Sequence, residues 1–138
     1  MKPSFFLALI FVTSLAAQGQ NILNIENFQP ELSYENVHSY EIDSDPLAST
    51  YLIWVKKSVA PHKHAEHTEV VYVLQGEGKM TFNSGAKNEY SRNIEPGDYI
   101  FIPKNTIHSV TVTSGSPMKV LSVQSPQFDG SDRVLIDQ

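Results

Sequence analysis

The sequence PHKHAEHTEVVYVLQGEG, residues 61–78, places three histidines and two glutamates within the eight residues from His62 to Glu69. His62 and His64 are two positions apart, and side chains with that spacing lie on the same face of an extended chain. Both imidazoles can therefore meet at one point. Glu69 begins the apolar run after a short bend and can reach the same point. By itself this stretch fits either a metal site built on β-strands or a solvated loop.

A second segment, PGDYIFIPKNTIHSV at residues 96–110, supplies a fourth histidine, His108. In the strand predicted at 107–113, His108 shares a face with Val110 and Val112, so its imidazole points to the core if these valines do. Three neutral imidazoles and one carboxylate suit a divalent transition metal, namely manganese, iron, nickel, copper or zinc. The candidate metal ligands are His62, His64, Glu69 and His108.

The position of His67 leaves several roles open. It has the same strand parity as Glu69 and could replace it as a ligand, could stand beside the metal as a catalytic acid or base, or could lie exposed at the barrel mouth. His38 lies outside both segments and is expected at the surface. Tyr72 is the second candidate catalytic residue, because its phenol could donate a proton if it points inward. The candidate pocket walls, which could equally be plain core, are Tyr72, Met80, Phe82, Tyr99 and Phe101.

The rest of the chain reads as short strands. Apolar residues alternate over short runs broken by Gly, Pro, Asn and Asp, and no helix-length amphipathic segment stands out. Strands are predicted at 37–42, 50–58, 69–75, 79–83, 89–94, 99–102, 107–113 and 118–123. This spacing is typical of an all-β sandwich or barrel. The tail SPQFDGSDRVLID, residues 125–137, predicts an extended closing segment with a turn at Asp129–Gly130, where Asp132 and Arg133 could pair on the surface.

The first 19 residues predict a secretory signal peptide. Lys2 is followed by an apolar run from Phe5 to Ala17 and by small residues suited to cleavage. That run is shorter than the roughly 20 residues needed to cross a bilayer. We therefore expect an exported protein, periplasmic or secreted, with no membrane association after signal removal and a single domain at 20–138.

Composition excludes some classes of partner and ligand. The chain has no cysteine, so it forms no disulfide and offers no thiolate to a metal. Its formal net charge is −5, and its basic residues are scattered. Nothing in it corresponds to the basic stripe of a nucleic-acid-binding protein, so we expect no nucleic-acid partner.

The two histidine segments resemble the two motifs of the cupin superfamily. The first motif has the form G-x5-H-x-H-x4-E-x6-G, and this chain matches it at His62, His64, Glu69 and Gly76, with Lys56 at the leading glycine. The second has the form G-x5-P-x-G-x2-H-x3-N, matched at Gly97, Pro103 and His108, with Asn105 and Val112 at the two departures. Asparagine tolerates left-handed backbone better than most residues, so the turn at Asn105 should be kept.

This resemblance covers residues 50–123 and implies a double-stranded β-helix, or jelly-roll, barrel with His62, His64, Glu69 and His108 as metal ligands. The expected function is that of a metal-dependent enzyme for a small polar molecule. The substrate would be a sugar-like or sugar-acid-like carbonyl or carboxylate compound, and the enzyme an isomerase, lyase or simple oxygenase. The alternative is a non-catalytic protein that holds a small ligand through the metal. A homodimer is also expected, since exposed strand edges are often covered by a partner.

Overall fold

A computed structural model describes residues 22–30 and 33–136 of the chain. The predicted signal peptide lies outside these residues. In the described part, ten strands form two antiparallel five-stranded sheets, and the one helical element is a 3-10 turn at Ile25–Asn27. No helix in the same part is long and apolar enough to span a bilayer. The all-β prediction is confirmed.

The strands follow the predicted pattern with two additions. Their bounds are β1 Val37–Asp45, β2 Ala48–Val55, β3 Ser58–His64, β4 Thr68–Gln75, β5 Gly78–Phe82, β6 Tyr90–Ile94, β7 Tyr99–Ile102, β8 His108–Val112, β9 Met118–Ser125 and β10 Arg133–Leu135. Strand β1 is longer than predicted because the turn that ends it begins at Asp45, whose Oδ1 accepts the backbone N–H groups of Leu47 and Ala48. The additions are β3, which carries the first two histidines, and β10, which lies in the tail.

The strand order places the two histidine segments opposite Glu69. One sheet has the order β1-β2-β9-β4-β7 and the other β10-β3-β8-β5-β6. His62, His64 and His108 come from the adjacent strands β3 and β8 of the second sheet, whereas Glu69 comes from β4 of the first. Between the sheets lies a core of Val73, Met80, Phe82, Ile94, Ile102, Met118 and Val120. The candidate ligands therefore converge inside the barrel.

The outer face of the first sheet is partly covered by the N-terminal segment, residues 22–30. Lys119 faces outward from β9 but is only 1% exposed. Its ammonium lies 5.5 Å from the centre of the Trp54 ring and donates to the carbonyls of Ile25 and Phe28, at 2.6 and 2.9 Å. These bonds hold the segment against the sheet, where Leu52 and Trp54 are buried.

The far edge of the same outer face carries exposed aromatic side chains. Tyr72 on β4 is 41% exposed, and Tyr99 and Phe101 on the edge strand β7 are 65% and 57% exposed. The prediction that these three side chains line the pocket is wrong. Side chains alternate along a strand, and here the neighbours Val71 and Ile100 are the ones that point inward.

This aromatic patch is where we expect the predicted homodimer to form. A second copy related by a two-fold axis would present the same patch and bury both. We expect sedimentation velocity to show a dimer that Phe101→Lys converts to a monomer. Tyr90→Lys, which alters an exposed aromatic residue of β6 in the other sheet, should leave the dimer intact. A wild-type protein that sediments as a monomer at every concentration would contradict the prediction.

Candidate metal centre

Strand pairing places His62 and His108 directly opposite each other. The two residues are direct partners in the β3–β8 ladder, and their ring centroids lie 4.2 Å apart. The ladder is irregular between Val59 and His62, around Pro61, which has no N–H to contribute to it. His64, two residues further along β3, lies on the same face, as its spacing predicted.

The three imidazoles form a buried cluster. Each is between 4% and 6% exposed, and one ring nitrogen from each lies within 4.8 Å of the others. The Nδ1 atoms of His62 and His108 each donate to the carbonyl two residues earlier, that of Ala60 or Thr106, at 2.9 Å. These bonds place the proton on Nδ1, so that Nε2 presents a lone pair toward the cluster.

Glu69 completes the cluster from the opposite sheet. Its Oε2 lies 3.5 Å from Nε2 of His64 and 3.3 Å from Nε2 of His108, while its Oε1 accepts a 2.6 Å hydrogen bond from the Ser122 hydroxyl. Burial by itself would raise the pKa of Glu69, but contacts with the imidazoles of His108 and His64 and with Ser122 outweigh it and hold the pKa well below its usual range. The carboxylate is therefore ionised and held with one oxygen toward the histidines.

These residues fit a divalent metal. Nε2 of His108 is buried and has no hydrogen-bond partner among the described residues. Burial, reinforced by the neighbouring His108, lowers the pKa of His62 from 6.5 to about 4, so this ring is neutral at physiological pH. Neutral imidazoles and a carboxylate are the donors that divalent transition metals prefer. His62, His64 and His108 are thus the residues that would hold such an ion, and Glu69, whose Oε2 lies beside two of these imidazoles, stays the predicted fourth ligand.

The environment of His67 differs from all three roles that the sequence predicted for it. It is 6% exposed, so it does not lie open at the barrel mouth. Its Nδ1 contacts Oδ2 of Asp132 at 2.5 Å and its Nε2 contacts the carbonyl of Gln127 at 2.7 Å. Two acceptors require two donors, which only the imidazolium provides. Although burial would lower the pKa of His67, the bonds to Asp132 and Gln127 raise it. With both nitrogens engaged, His67 neither binds the metal nor serves as a free acid or base.

The other predicted catalytic residue, Tyr72, also requires correction. Its phenol lies on the outer face of β4, on the side of the sheet opposite the cluster, as described for the aromatic patch. Of the remaining pocket candidates, Met80 does line the interior cavity, and Phe82 is part of the buried core. His38, expected at the surface, is half-buried, with its ring 5.5 Å from that of Trp54.

Several residues near the cluster were not predicted from the sequence. Ser122 and Gln124 point inward from β9, and Gln124 is 4% exposed with a carboxamide oxygen that has no hydrogen-bond partner. Phe128 packs edge-on against His64, with ring centroids 5.1 Å apart. Asp132, predicted as a surface partner of Arg133, instead has its side chain 8% exposed and bonded to His67. The alternation of β9 could have indicated Ser122 and Gln124, but no local pattern distinguishes Asp132.

Beside the cluster lies a cavity of about 260 Å³. Its walls are mainly aliphatic and include Val71, Met80, Ile100, Val110, Met118 and Val120. Polar side chains lie at the histidine cluster and near it, where Gln124 and Arg133 also contribute to the lining. Three residues of the lining are exposed, Val37 and Ser39 on β1 and Arg133 on β10, so the cavity reaches the surface beside these edge strands. The site therefore combines a cluster of metal-binding groups with an apolar chamber.

The fold and the site together define a small metal-binding β-barrel. The model of the cupin domain family matches residues 50–124, more than half of the chain. The chain therefore belongs to the cupin family, and the resemblance seen in its motifs is confirmed. Asn105 has a φ of 64°, so the turn of the second motif is kept despite its missing glycine.

Three known proteins show how far the similarity extends. An uncharacterized protein of Aquifex aeolicus is 34% identical over 107 residues, which are 78% of this chain and 84% of that protein. The crystal structure of an uncharacterized Klebsiella pneumoniae protein with a double-stranded β-helix domain gives a TM-score of 0.71 at 14% identity, covering 87% of this chain and all of that one. Bacillus subtilis oxalate decarboxylase, studied for its Mn(II) centres, gives 0.64 at 21% identity, covering 78% of this chain and 30% of that one. These two structures support the fold.

Proposed function

We propose that this protein is a metal-dependent enzyme that holds the carbonyl or carboxylate head of a small molecule at the metal centre and buries an apolar body in the barrel. The observation that carries the proposal is the cavity, in which three imidazoles and a carboxylate face a largely aliphatic chamber. A bound divalent transition metal supplies Lewis acidity toward the head oxygens and, when it is redox-active, allows oxidation by dioxygen.

The aliphatic walls narrow the range of substrates that the sequence predicted. A sugar or sugar acid carries a hydroxyl on nearly every carbon, and each hydroxyl buried without a partner costs about 1–3 kcal/mol. A hydrocarbon body instead gains about 0.8 kcal/mol for each buried CH₂ group. The cavity, at about 260 Å³, is slightly smaller than the roughly 300–1,000 Å³ of most ligand sites. A short, branched apolar body is therefore favoured over a polyol.

Two side chains suit the polar head. The carboxamide of Gln124 is buried beside Glu69, its partner in the β4–β9 ladder. Its NH₂ group donates one N–H to the Ser122 hydroxyl at 3.4 Å, and the second N–H can donate to an oxygen of the head. Arg133, at the open side of the cavity, places a guanidinium where an anionic head would enter. Because the chain has a formal net charge of −5, this local positive charge matters for attracting an anion.

The lack of a free acid or base among the described residues of the cavity favours particular reaction types. Among the described residues that line the cavity, the only ionisable ones besides the four candidate ligands are Tyr51 and Arg133. The Tyr51 hydroxyl is engaged with Glu41 and the Phe128 carbonyl, each at 3.0 Å. Isomerisation through a protein base is thus poorly supported. Oxidation by dioxygen needs no such base. A lyase reaction that releases a carboxyl carbon as carbon dioxide also needs none, because water can protonate the carbon that is left.

The lack of a free acid or base among the described residues of the cavity also fits the non-catalytic alternative. A protein that holds a small ligand through the metal needs the metal centre, the cavity and the head contacts, but no acid or base. The two proposals differ only in turnover.

We also propose, from residues 1–19 alone, that the protein is exported; the mass of the mature chain recovered from the periplasm or medium would test this.

Calorimetry with a matched pair of carboxylates tests the proposed ligand class. We expect 4-methyl-2-oxopentanoate to bind the manganese-loaded protein about 100-fold more tightly than gluconate, because its four-carbon branched body gains about 3 kcal/mol on burial. Chelation of the metal should abolish this binding. Gln124→Met should weaken it by about tenfold through loss of one buried hydrogen bond, whereas Gln127→Met, at an exposed amide, should not change it.

Incubation of the bound compound under air and under argon then separates the two proposals. Consumption that stops on chelation supports an enzyme, and its dependence on air distinguishes an oxygenase from a lyase. Stable binding without consumption supports the ligand-binding alternative. Equal or tighter binding of gluconate would contradict the assignment of an apolar substrate body.

A further inference from the structure

The tail of the chain closes over the metal centre. After β9, residues 126–136, here called the closing segment, return across the barrel and end in β10, which pairs with β3 so that Arg133 lies opposite His64 and Leu135 opposite His62. Phe128 of this segment packs against His64, and its backbone N–H donates to the Ser49 hydroxyl at 3.0 Å. The segment is therefore in direct contact with the strand that carries two candidate ligands.

Asp132 joins the closing segment to the bend between β3 and β4. Its Oδ2 accepts the backbone N–H groups of Glu66 and His67 at 2.8 and 3.1 Å and also contacts Nδ1 of His67. Its backbone carbonyl accepts the N–H of Ala65 at 3.2 Å. Three donors on one oxygen fix the orientation of the carboxylate, so the direction of the other oxygen is determined as well.

The other oxygen of Asp132 points at a candidate metal ligand. Oδ1 lies 3.5 Å from Nδ1 of His64, and neither of these buried atoms has a hydrogen-bond partner among the described residues. His62 and His108 are different, because each donates Nδ1–H to the carbonyl two residues earlier in the chain. Among the three imidazoles, only that of His64 depends on an acceptor supplied by a distant part of the chain.

We propose that Asp132 is a positioning residue that keeps the proton of His64 on Nδ1, and thereby leaves Nε2 free to bind the metal. A carboxylate behind a metal-binding histidine fixes its tautomer and orientation, and loss of such a partner typically lowers metal affinity by about 10- to 100-fold. The closing segment is in this way a part of the metal centre. The inference rests on the metal centre of the proposed function, but not on any substrate or reaction.

Asp132→Asn tests this role with little change in shape. The side facing Glu66 and His67 meets three N–H donors, so the amide oxygen must occupy it, and the NH₂ group then faces Nδ1 of His64. This makes Nδ1 an acceptor and moves the His64 proton to Nε2, where it blocks the metal. We expect about 10- to 100-fold weaker binding of Mn²⁺ or Zn²⁺ by calorimetry. In the metal-free protein, the ¹⁵N chemical shifts of His64 should show the change of tautomer.

Two further variants separate positioning from simple docking of the tail. His67→Gln removes the other partner of Asp132 and should loosen the closing segment, seen as faster proteolysis, but it leaves Oδ1 facing His64 and should lower metal affinity by less than about threefold. Asp129→Asn, at an exposed aspartate of the same segment, should change neither property.

The outcomes distinguish failure of this inference from failure of the metal centre. Wild-type affinity in Asp132→Asn, an unchanged His64 tautomer, or an equal loss of affinity in Asp132→Asn and His67→Gln would overturn the positioning role while leaving the metal centre in place. A wild-type protein that binds no divalent metal would overturn both.

Discussion

Replacement of His62 or His108 by alanine should nearly abolish metal binding. Each variant removes an imidazole whose Nδ1 donates to the carbonyl two residues earlier and whose Nε2 points into the cluster. The loss in affinity should exceed the roughly 10- to 100-fold that follows from losing a residue that only supports a ligand. Elemental analysis of protein purified from its native compartment, with each variant treated identically, measures the effect.

His38→Ala is the matched control for this experiment. His38 is the one histidine in the sequence that lies outside both motifs. Its ring packs against Trp54, whose side chain lies on the outer face of the first sheet. Its removal should leave metal content unchanged. Equal occupancy in His62→Ala, His108→Ala and His38→Ala would show that the metal, if any, binds elsewhere.

Gly76→Ala should produce the largest loss of stability. Gly76 ends the first motif with a φ of +75°, and a Cβ at this position would lie 2.8 Å from Cα of Met118 and 2.9 Å from the carbonyl oxygen of Pro117. The left-handed backbone costs a residue with a side chain about 1–2 kcal/mol, and forcing β9 away from β4 adds about 1–3 kcal/mol. Urea denaturation should therefore show a free energy of unfolding lower by about 2–5 kcal/mol, a large part of the roughly 5–15 kcal/mol typical of a domain.

Gly97→Ala separates the two contributions to that loss. Gly97 also has a positive φ, +99°, but a Cβ there would meet no atom within 4 Å. Its substitution should cost only the backbone term, about 1–2 kcal/mol. If both variants lose the same free energy, the close approach of β4 and β9 at Gly76 contributes nothing, and our account of this glycine is wrong.

Local sequence was sufficient for the strands and for the inward set of histidines. The alternation at Tyr51, Ile53 and Val55 placed these side chains on one face, and the structure lines its cavity with them. The same two-residue period brought His62 and His64 together. This period did not predict which way the Tyr72 side chain points. Because β4 is apolar on both faces, its alternation does not distinguish the inner face from the outer one.

The role of His67 could not be read from its neighbours. Its spacing within the cluster made it resemble a ligand or a catalytic base, but both of its nitrogens are engaged by residues 60 or more positions further along the chain. The buried position of Asp132 was not predicted for the same reason. An aspartate beside an arginine in a polar tail looks like a surface residue until β10 is known to pair with β3.

The sequence by itself therefore determined the barrel class and the candidate metal ligands, because both depend on a period of two residues and on short motifs. Only the tertiary structure decided what surrounds those ligands: the apolar chamber, the inward carboxamide of Gln124 and the carboxylate of Asp132 behind His64. These features depend on strand register and on the return of the closing segment to β3. Contacts between residues so far apart in the chain are fixed by the packing of the whole barrel, and no local pattern encodes them.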